Sequence, residues 1–244
     1  MKIVLENILF CAIVIWIFIF RLFYYNYTGL IVYFLLYTGF FLLYGMCLWK
    51  GKFLLLFATI LILTFIVELI GVNTGIVFGH YNYVDYTPHE ILGISILIPL
   101  SWFIFTFVIY NVTTSYIKNN RLIILFSSLL LVCLDLIVDP VLVSIGFWEW
   151  EGHKISNELS LSSWFGIPWS NYLGWFLVGL MVFSLMIILI KPVMKSEKFL
   201  FLFATEVISY ILMGIKIGLI LPVLLGGSII FILLVLLWIY LKGI

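Results

Sequence analysis

Long apolar stretches dominate this chain and restrict what it can fold into. Eight of them are rich in Leu, Ile, Val and Phe, and each is near the roughly 20 residues that a helix needs to cross a bilayer core of about 30 Å. They are Ile3–Phe20, Leu30–Trp49, Phe53–Val72, Leu92–Ile117, Leu122–Ile145, Asn171–Ile190, Phe199–Ile220 and Val223–Leu241. None has the even alternation of outer-membrane strands, so helices are the remaining way to pair the backbone in lipid. The sequence therefore predicts an all-α, polytopic membrane helix bundle, with residues 1–244 forming a single transmembrane domain.

The composition disfavours the common soluble classes. Of the 244 residues, 66% are hydrophobic and 9% are charged, whereas a soluble domain carries about 25% charged residues to hydrate its surface. A soluble enzyme, a disordered chain and a nucleic-acid binder are therefore not expected. The net charge of +1 gives no sign of a polyanionic partner, and membrane lipid is the expected surrounding.

The number of spans depends on the last two stretches, which only Leu221-Pro222 separates. Two helices are predicted, but Pro222 can instead kink a single long helix, which gives seven spans. With eight spans, nine of the 12 Lys and Arg residues fall on the side of the N-terminus. Because positive residues favour the cytoplasmic side, we expect a multi-pass protein of the cell membrane with both termini in the cytoplasm. The long loops 73–91 and 146–170 then lie on the outer face.

Four acidic residues interrupt the apolar stretches, although a carboxylate at the bilayer centre costs at least about 2.5–3.5 kcal/mol. Glu68, Asp135 and Asp139 lie towards the outer side in this topology. Glu206 lies nearer the cytoplasmic side, where packing or capping is expected. The three outer acids predict either a functional site or hydrogen-bonded packing that pins the third span to the fifth.

Two of these acids form a pair directly before a proline. Asp135 and Asp139 are four residues apart, which puts both carboxyls on one face of a helix. Pro140 disfavours regular helix at that point and frees the carbonyl of Leu136. A polar, locally opened helix end beside two carboxyls is typical of a site.

Aromatic residues are concentrated near the second long loop. Five of the nine tryptophans lie between residues 148 and 175. An interfacial belt explains many of them, but clustered aromatic faces can also line an apolar cavity or hold a cation. The chain lacks a phosphate loop, a nucleophile elbow, an HExxH motif and a DDxxD motif. His80, His89 and His153 lack the spacing of metal ligands, so we expect no metal site.

Five short motifs follow one another through the middle of the chain. They are Glu68-x-x-Gly71-x-x-Thr74-Gly75-x-x-Phe78-Gly79-x-Tyr81-x-Tyr83, Pro99-Leu-Ser-Trp102, Asp135-x-x-x-Asp139-Pro140, Gly146-x-Trp148-x-Trp150 and Gly166-x-Pro168-x-x-Asn171-x-x-Gly174-Trp175. In this order they resemble the signatures of a membrane carotenoid-biosynthesis hydratase family, which includes bisanhydrobacterioruberin hydratase and γ-carotene 1′-hydratase. The resemblance covers roughly residues 65–180, and Val77 and Gly93-Ile94-Ser95 depart from the pattern.

The resemblance implies an enzyme that adds water to the terminal carbon–carbon double bond of an acyclic carotenoid or related polyprenoid. The product from this ψ end group is a tertiary alcohol. Such a hydration needs a proton donor, a surface that tolerates a tertiary carbocation and a placed water molecule. It needs no metal, nucleotide or redox cofactor, and we expect none. The expected partners are a hydrophobic polyene or isoprenoid substrate and other membrane enzymes of the same pathway.

The expected roles combine the resemblance with the chemistry of the acids. Asp139 or Glu68 protonates the alkene and the other polarises water as general base. Asp135 tunes its neighbour, since two close carboxyls resist simultaneous ionisation, and Asn171 orients the water. The expected substrate-binding residues are Asn73, Thr74, Phe78, Tyr81, Tyr83, Trp102, Trp148, Trp150, Trp169 and Trp175.

Two other functions remain open at this point. A membrane terpenoid or carotenoid cyclase would begin with the same protonation but would close a ring on the cation. Its product would be an isomer of the substrate, whereas hydration adds one water. A proton-coupled transporter or lipid-binding membrane protein would also carry intramembrane acids, but many transporters contain inverted repeats, and none is evident here.

Overall fold

A computed structural model describes residues 10–17, 19, 27–84, 90–190 and 197–242. Its helices are α1 (10–17), α2 (Tyr27–Trp49), α3 (Gly51–Thr74), α4 (Leu97–Tyr116), α5 (Asn120–Ser144), α6 (Trp169–Leu189), α7 (Glu197–Lys216) and α8 (Ile220–Lys242). Helices α2 to α8 are long and apolar enough to cross a membrane. The predicted polytopic helical bundle is confirmed. Most of the first predicted span, Ile3–Phe20, lies outside the described residues.

The last two spans are separate helices, as the eight-span plan predicts. The break lies at residues 217–219, a few residues before the predicted position, and Gly218 adopts a left-handed φ of 86° there. The backbone N–H of Leu219 donates to the carbonyl of Gly214 at 2.8 Å, which closes the end of α7. Pro222 lies in the first turn of α8, where its missing N–H costs no intrahelical hydrogen bond.

The expectation of irregular helix at Pro140 is wrong, because α5 continues through it to Ser144. The second half of that expectation holds: the carbonyl of Leu136 has no backbone donor at Pro140, and the indole N–H of Trp164 donates to it at 2.8 Å. The side chain of Asn119 caps the other end of α5.

Helix α4 lies at the centre of the bundle. It packs against α2, α3, α5, α6 and α7, and it is buried on almost every side. A helix that is apolar all round belongs in such a position. Helix α8 packs against α5 and α7.

The two long loops meet at one end of the bundle through short strands. Strand β1 (Tyr81–Tyr83) pairs antiparallel with β4 (Trp148–Trp150), with Tyr81 opposite Trp150 and Tyr83 opposite Trp148. Strands β2 (Glu90–Ile91) and β3 (Ile94–Ser95) form a second pair, and β5 (Ser163–Trp164) and β6 (Ile167–Pro168) a third. Because side chains alternate along a strand, the aromatic residues of β1 and β4 share one face of their sheet.

Candidate functional site

A cavity lies between the β1–β4 sheet and the helices beneath it. Its volume is about 50 Å³. Helices α2 to α6 and both long loops contribute to its wall. The ionisable or hydrogen-bonding side chains in the wall are those of Glu68, Tyr81, Tyr83, Ser95, Ser101, Asp139, Asn171, Trp148, Trp150 and Trp175. Glu68 and Asp139, the two residues predicted to act on the alkene and on water, therefore line the same cavity.

Glu68 reaches the cavity from the last turns of α3. The hydroxyl of Tyr81 donates to its Oε2 atom, and the indole N–H of Trp102 donates to Oε1 at 3.4 Å. The hydroxyl of Tyr83 also lies close to this carboxyl. Two separate donors therefore hold the two oxygens of Glu68. One donor belongs to the β1–β4 sheet, and the other belongs to α4.

The two tyrosines of β1 keep their hydroxyl protons across the physiological pH range. Burial, with the neighbouring Glu68 as a further cause, raises the pKa of Tyr81 well above its usual value. Burial and the same carboxyl raise the pKa of Tyr83 well above its usual value. A phenol that keeps its proton can donate a hydrogen bond to a carboxylate or to a bound oxygen atom.

Asp135 and Asp139 share a single amide donor. The Nδ2 atom of Asn171 on α6 donates to Oδ2 of Asp139 at 2.5 Å and to Oδ2 of Asp135 at 3.1 Å. The shared donor brings one oxygen of each carboxyl close to the other. Asp139 lines the cavity, whereas Asp135 lies one turn deeper. The two carboxyls therefore lie on one face of α5, as predicted from their spacing, and this face is turned towards Asn171.

The acid pair is buried too deeply for both groups to be charged unless a positive charge lies beside them. Asp135 is 1% exposed and Asp139 is 2% exposed. Oδ1 of Asp135 is buried, and no N–H or hydroxyl of the described residues donates to it. An uncompensated charged oxygen in such a position is costly. The geometry favours one proton shared by the two carboxyls.

Aromatic residues form most of the remaining wall. Phe78, Trp148, Trp150 and Trp175 line the cavity. The indole N–H of Trp150 donates to the carbonyl of Phe78 at 2.9 Å, which fastens the second loop to the first. Trp102 lies behind the wall and stacks on Trp175 with 4.1 Å between the ring centroids.

Four of the expected substrate-binding residues are not in the cavity wall: Trp102, which lies behind it, and the exposed residues Asn73, Thr74 and Trp169. Asn73 and Thr74 are exposed, and their side chains donate to the carbonyls of Leu69 and Ile70, one turn back along α3. Trp169 is 43% exposed and donates to the carbonyl of Leu161. Local hydrogen bonds at a helix end account for the first two, because a terminal Asn or Thr side chain readily pairs with its own helix.

The cavity also contains residues that sequence reasoning did not select. Phe34 of α2, Phe105 of α4 and Phe147 after α5 are in its wall, with Ser95 and Ser101. Ser101 lies within the Pro99-Leu-Ser-Trp102 motif, so a signal existed for that residue. The phenylalanines carry no such signal, because Phe is common in every apolar stretch of the chain.

Glu206 lies outside the cavity wall. It is 1% exposed on α7, and the hydroxyl of Tyr33 on α2 donates to its carboxyl. This contact agrees with the packing role expected from the sequence. Among the described residues, no group of three or more His, Cys, Asp and Glu side chains is arranged as metal ligands. His89 lies outside the described residues.

A glycine on α6 allows the first loop to approach this helix closely. A Cβ atom at Gly174 would lie 2.5 Å from the carbonyl oxygen of Val77 and 2.7 Å from the ring of Phe78. We expect Gly174→Ala to destabilise the protein by about 1–3 kcal/mol, because overpacking forces the neighbours to move. Thermal unfolding in detergent measures the change.

Gly39 on α2 is the matched control. A Cβ atom there would meet nothing within 4 Å, so Gly39→Ala is expected to be neutral or stabilising by about 0.5–1 kcal/mol, the usual gain for a helix interior. Equal unfolding temperatures for the two variants would contradict the close approach at Gly174.

Comparison with known proteins gives one family and one curated relative. The model of the family described as "Carotenoid biosynthesis protein" matches residues 29–234. Bisanhydrobacterioruberin hydratase of Haloarcula japonica is 32% identical over 120 residues, which is 46% of this chain and 37% of the relative. The chain thus covers little more than a third of that relative's length. No solved structure matches the chain.

Proposed function

This chain belongs to the carotenoid biosynthesis protein family, and we propose that it hydrates the terminal double bond of an acyclic carotenoid or related polyprenoid without a cofactor. The observation that carries this proposal is the cavity in which Glu68 and Asp139 converge beneath aromatic side chains. The hydratase relative gives independent support for the reaction type. A tertiary alcohol is the product.

Asp139 is the proton donor in this proposal. Its carboxyl lines the cavity and interacts with Asp135, and Asn171 holds both groups from α6. A pair of carboxyls that shares one proton has a neutral acid available for transfer. The proton and the π electrons of the alkene form a carbon–hydrogen bond at the less substituted carbon. The positive charge then resides on the tertiary carbon.

Glu68 is the base. It accepts hydrogen bonds from Tyr81 and Trp102, and each of its two oxygens has a further lone pair that can accept from a water molecule. A water molecule that donates to Glu68 adds its oxygen to the tertiary cation, and its released proton passes to Glu68. The proton then returns to the acid pair through water in the cavity, since Glu68 and Asp139 line the same cavity.

The cavity wall suits a short-lived cation and the end of a chain. Trp148, Trp150 and Trp175 line the cavity, and aromatic rings attract positive charge. With a volume of about 50 Å³, the cavity admits roughly three to five groups of the size of a water molecule. That space fits a branched end group and one water, while the rest of the polyene lies among the helices or in lipid.

The orientation and the partners belong to the same proposal. The distribution of Lys and Arg supports cytoplasmic termini and places the β1–β4 sheet on the outer face of the membrane in this proposal. Reporter fusions at the C-terminus and in the loop 151–160 test this orientation. A lipid-soluble substrate also favours association with other membrane enzymes that make or consume it.

Co-expression tests the function directly. The gene is introduced into a host that makes lycopene or γ-carotene, and the pigments are compared by liquid chromatography and mass spectrometry. We expect a new pigment that is heavier than the substrate by one water. A new pigment of unchanged mass would support the cyclase alternative instead, and unchanged pigments in a host that accumulates the protein would contradict both.

A further inference from the structure

A hydrogen bond connects the second long loop to the middle of α5. The indole N–H of Trp164 donates to the carbonyl of Leu136 at 2.8 Å, and Trp164 is 5% exposed. In a regular helix the N–H of residue 140 would donate to this carbonyl. Pro140 has no N–H, so the indole takes the place of the missing backbone donor.

The Leu136 carbonyl belongs to the turn of α5 that carries the acid pair. It follows Asp135 directly, and Asp139 lies three residues further on. We propose that Trp164 is a positioning residue, which holds this turn so that both carboxyls meet Asn171. This inference rests on the proposed function, because the groups that it positions are the proposed proton donor and its neighbour.

The loop is built to place this side chain. Strands β5 and β6 are joined by a two-residue turn in which Phe165 has a φ of 51° and Gly166 a φ of 101°. The left-handed region is uncommon for a bulky residue, and Phe165 is nevertheless fully packed at 1% exposure. A Cβ atom at Gly166 would lie 2.2 Å from the carbonyl oxygen of Lys154.

Trp164 is not in the cavity wall. Its effect on catalysis must therefore pass through α5 and not through substrate contact. Replacement of the indole should change the turnover number kcat and leave the Michaelis constant KM unchanged. A residue that binds substrate would change KM instead.

The test combines Trp164→Phe with Pro140→Ala in the full-length protein. Trp164→Phe leaves the Leu136 carbonyl without a donor, and we expect kcat to fall by about 10- to 100-fold, because small displacements of catalytic groups have effects of that order. Pro140→Ala supplies a backbone N–H for the same carbonyl. The double variant should therefore have the kcat of Pro140→Ala alone. Trp238→Phe on the exposed face of α8 is the matched control and should behave as wild type.

An infrared measurement provides a readout that does not depend on turnover. The C=O stretching band of the protonated acid pair is identified by its loss in Asp139→Asn. We expect this band to shift in Trp164→Phe and to coincide in Pro140→Ala and the double variant. If the wild type does not act on carotenoids but the band behaves as described, the proposed function fails while the positioning role stands.

Two results would overturn the positioning role. One is a wild-type kcat and an unshifted band in Trp164→Phe. The other is a loss in the double variant relative to Pro140→Ala, because the indole would then act by packing and not through the carbonyl. The second comparison remains decisive even if Trp164→Phe alone does not accumulate in the membrane.

Discussion

Replacement of Asp139 by Asn reduces hydration by about 10²- to 10⁴-fold, the usual contribution of a general acid. The amide keeps the size of the carboxyl, and its oxygen can still accept from Asn171, but its N–H groups are far too weakly acidic to protonate the alkene. Because the cavity keeps its shape, the amount of protein in the membrane should not change. Product formed per amount of membrane protein measures the effect.

The matched control is the same kind of change at a buried acid outside the cavity. Glu206 accepts from Tyr33, and the amide oxygen of Gln can accept in its place. We expect Glu206→Gln to retain most of the activity. Full activity in Asp139→Asn would contradict its role as the acid, and an equal loss in both variants would point to a general requirement for buried carboxyls.

Replacement of Glu68 by Gln should reduce hydration by a similar factor of about 10²–10⁴, but for a different reason. Gln has one oxygen, so it keeps only one of the hydrogen bonds from Tyr81 and Trp102, and it cannot take the proton of the attacking water. Asp139 still protonates the alkene to the cation, and the cation then loses a proton and becomes an alkene again. In heavy water the recovered carotenoid should therefore gain deuterium.

This exchange separates the acid from the base. Asp139→Asn should lose both hydration and deuterium uptake, whereas Glu68→Gln should lose hydration and keep deuterium uptake. The reverse pattern would exchange the two roles. Uptake of deuterium by both variants would mean that another group donates the proton.

The sequence predicted the helices and the acid pair because both depend on local rules. Apolar stretches of about 20 residues need no tertiary information to be recognised as helices. The spacing of Asp135 and Asp139 fixes their common face in any α-helix. The break between α7 and α8 was also predicted, although Pro222 lies inside the first turn of α8 and does not mark the break itself.

The misplaced residues show what local rules omit. Trp169 and Asn171 are two positions apart on α6, so they point to nearly opposite sides of the helix, and only Asn171 can face the cavity once α6 begins at Trp169. The sequence prediction began this span at Asn171 and left Trp169 in the loop. The predicted start of this helix was two residues too late, and this is why Trp169 was wrongly expected to bind substrate.

The pairing of the two long loops depends on contacts that are distant in sequence. Tyr81-Asn82-Tyr83 and Trp148-Glu149-Trp150 both alternate between aromatic and polar residues, which is a strand signal in each case. Nothing in either segment indicates that the other is its partner. The fastening of Trp150 to Phe78 and of Trp164 to Leu136 likewise required the folded chain.

The most direct test of the account is the origin of the oxygen atom in the product. The protein in lipid vesicles is given an acyclic carotenoid with a ψ end group, in water enriched in the heavy oxygen isotope, and the product is analysed by mass spectrometry. We predict a tertiary alcohol that carries one heavy oxygen atom, with none in Asp139→Asn. A product without added oxygen, or an alcohol whose oxygen does not come from water, would contradict acid–base hydration in this cavity.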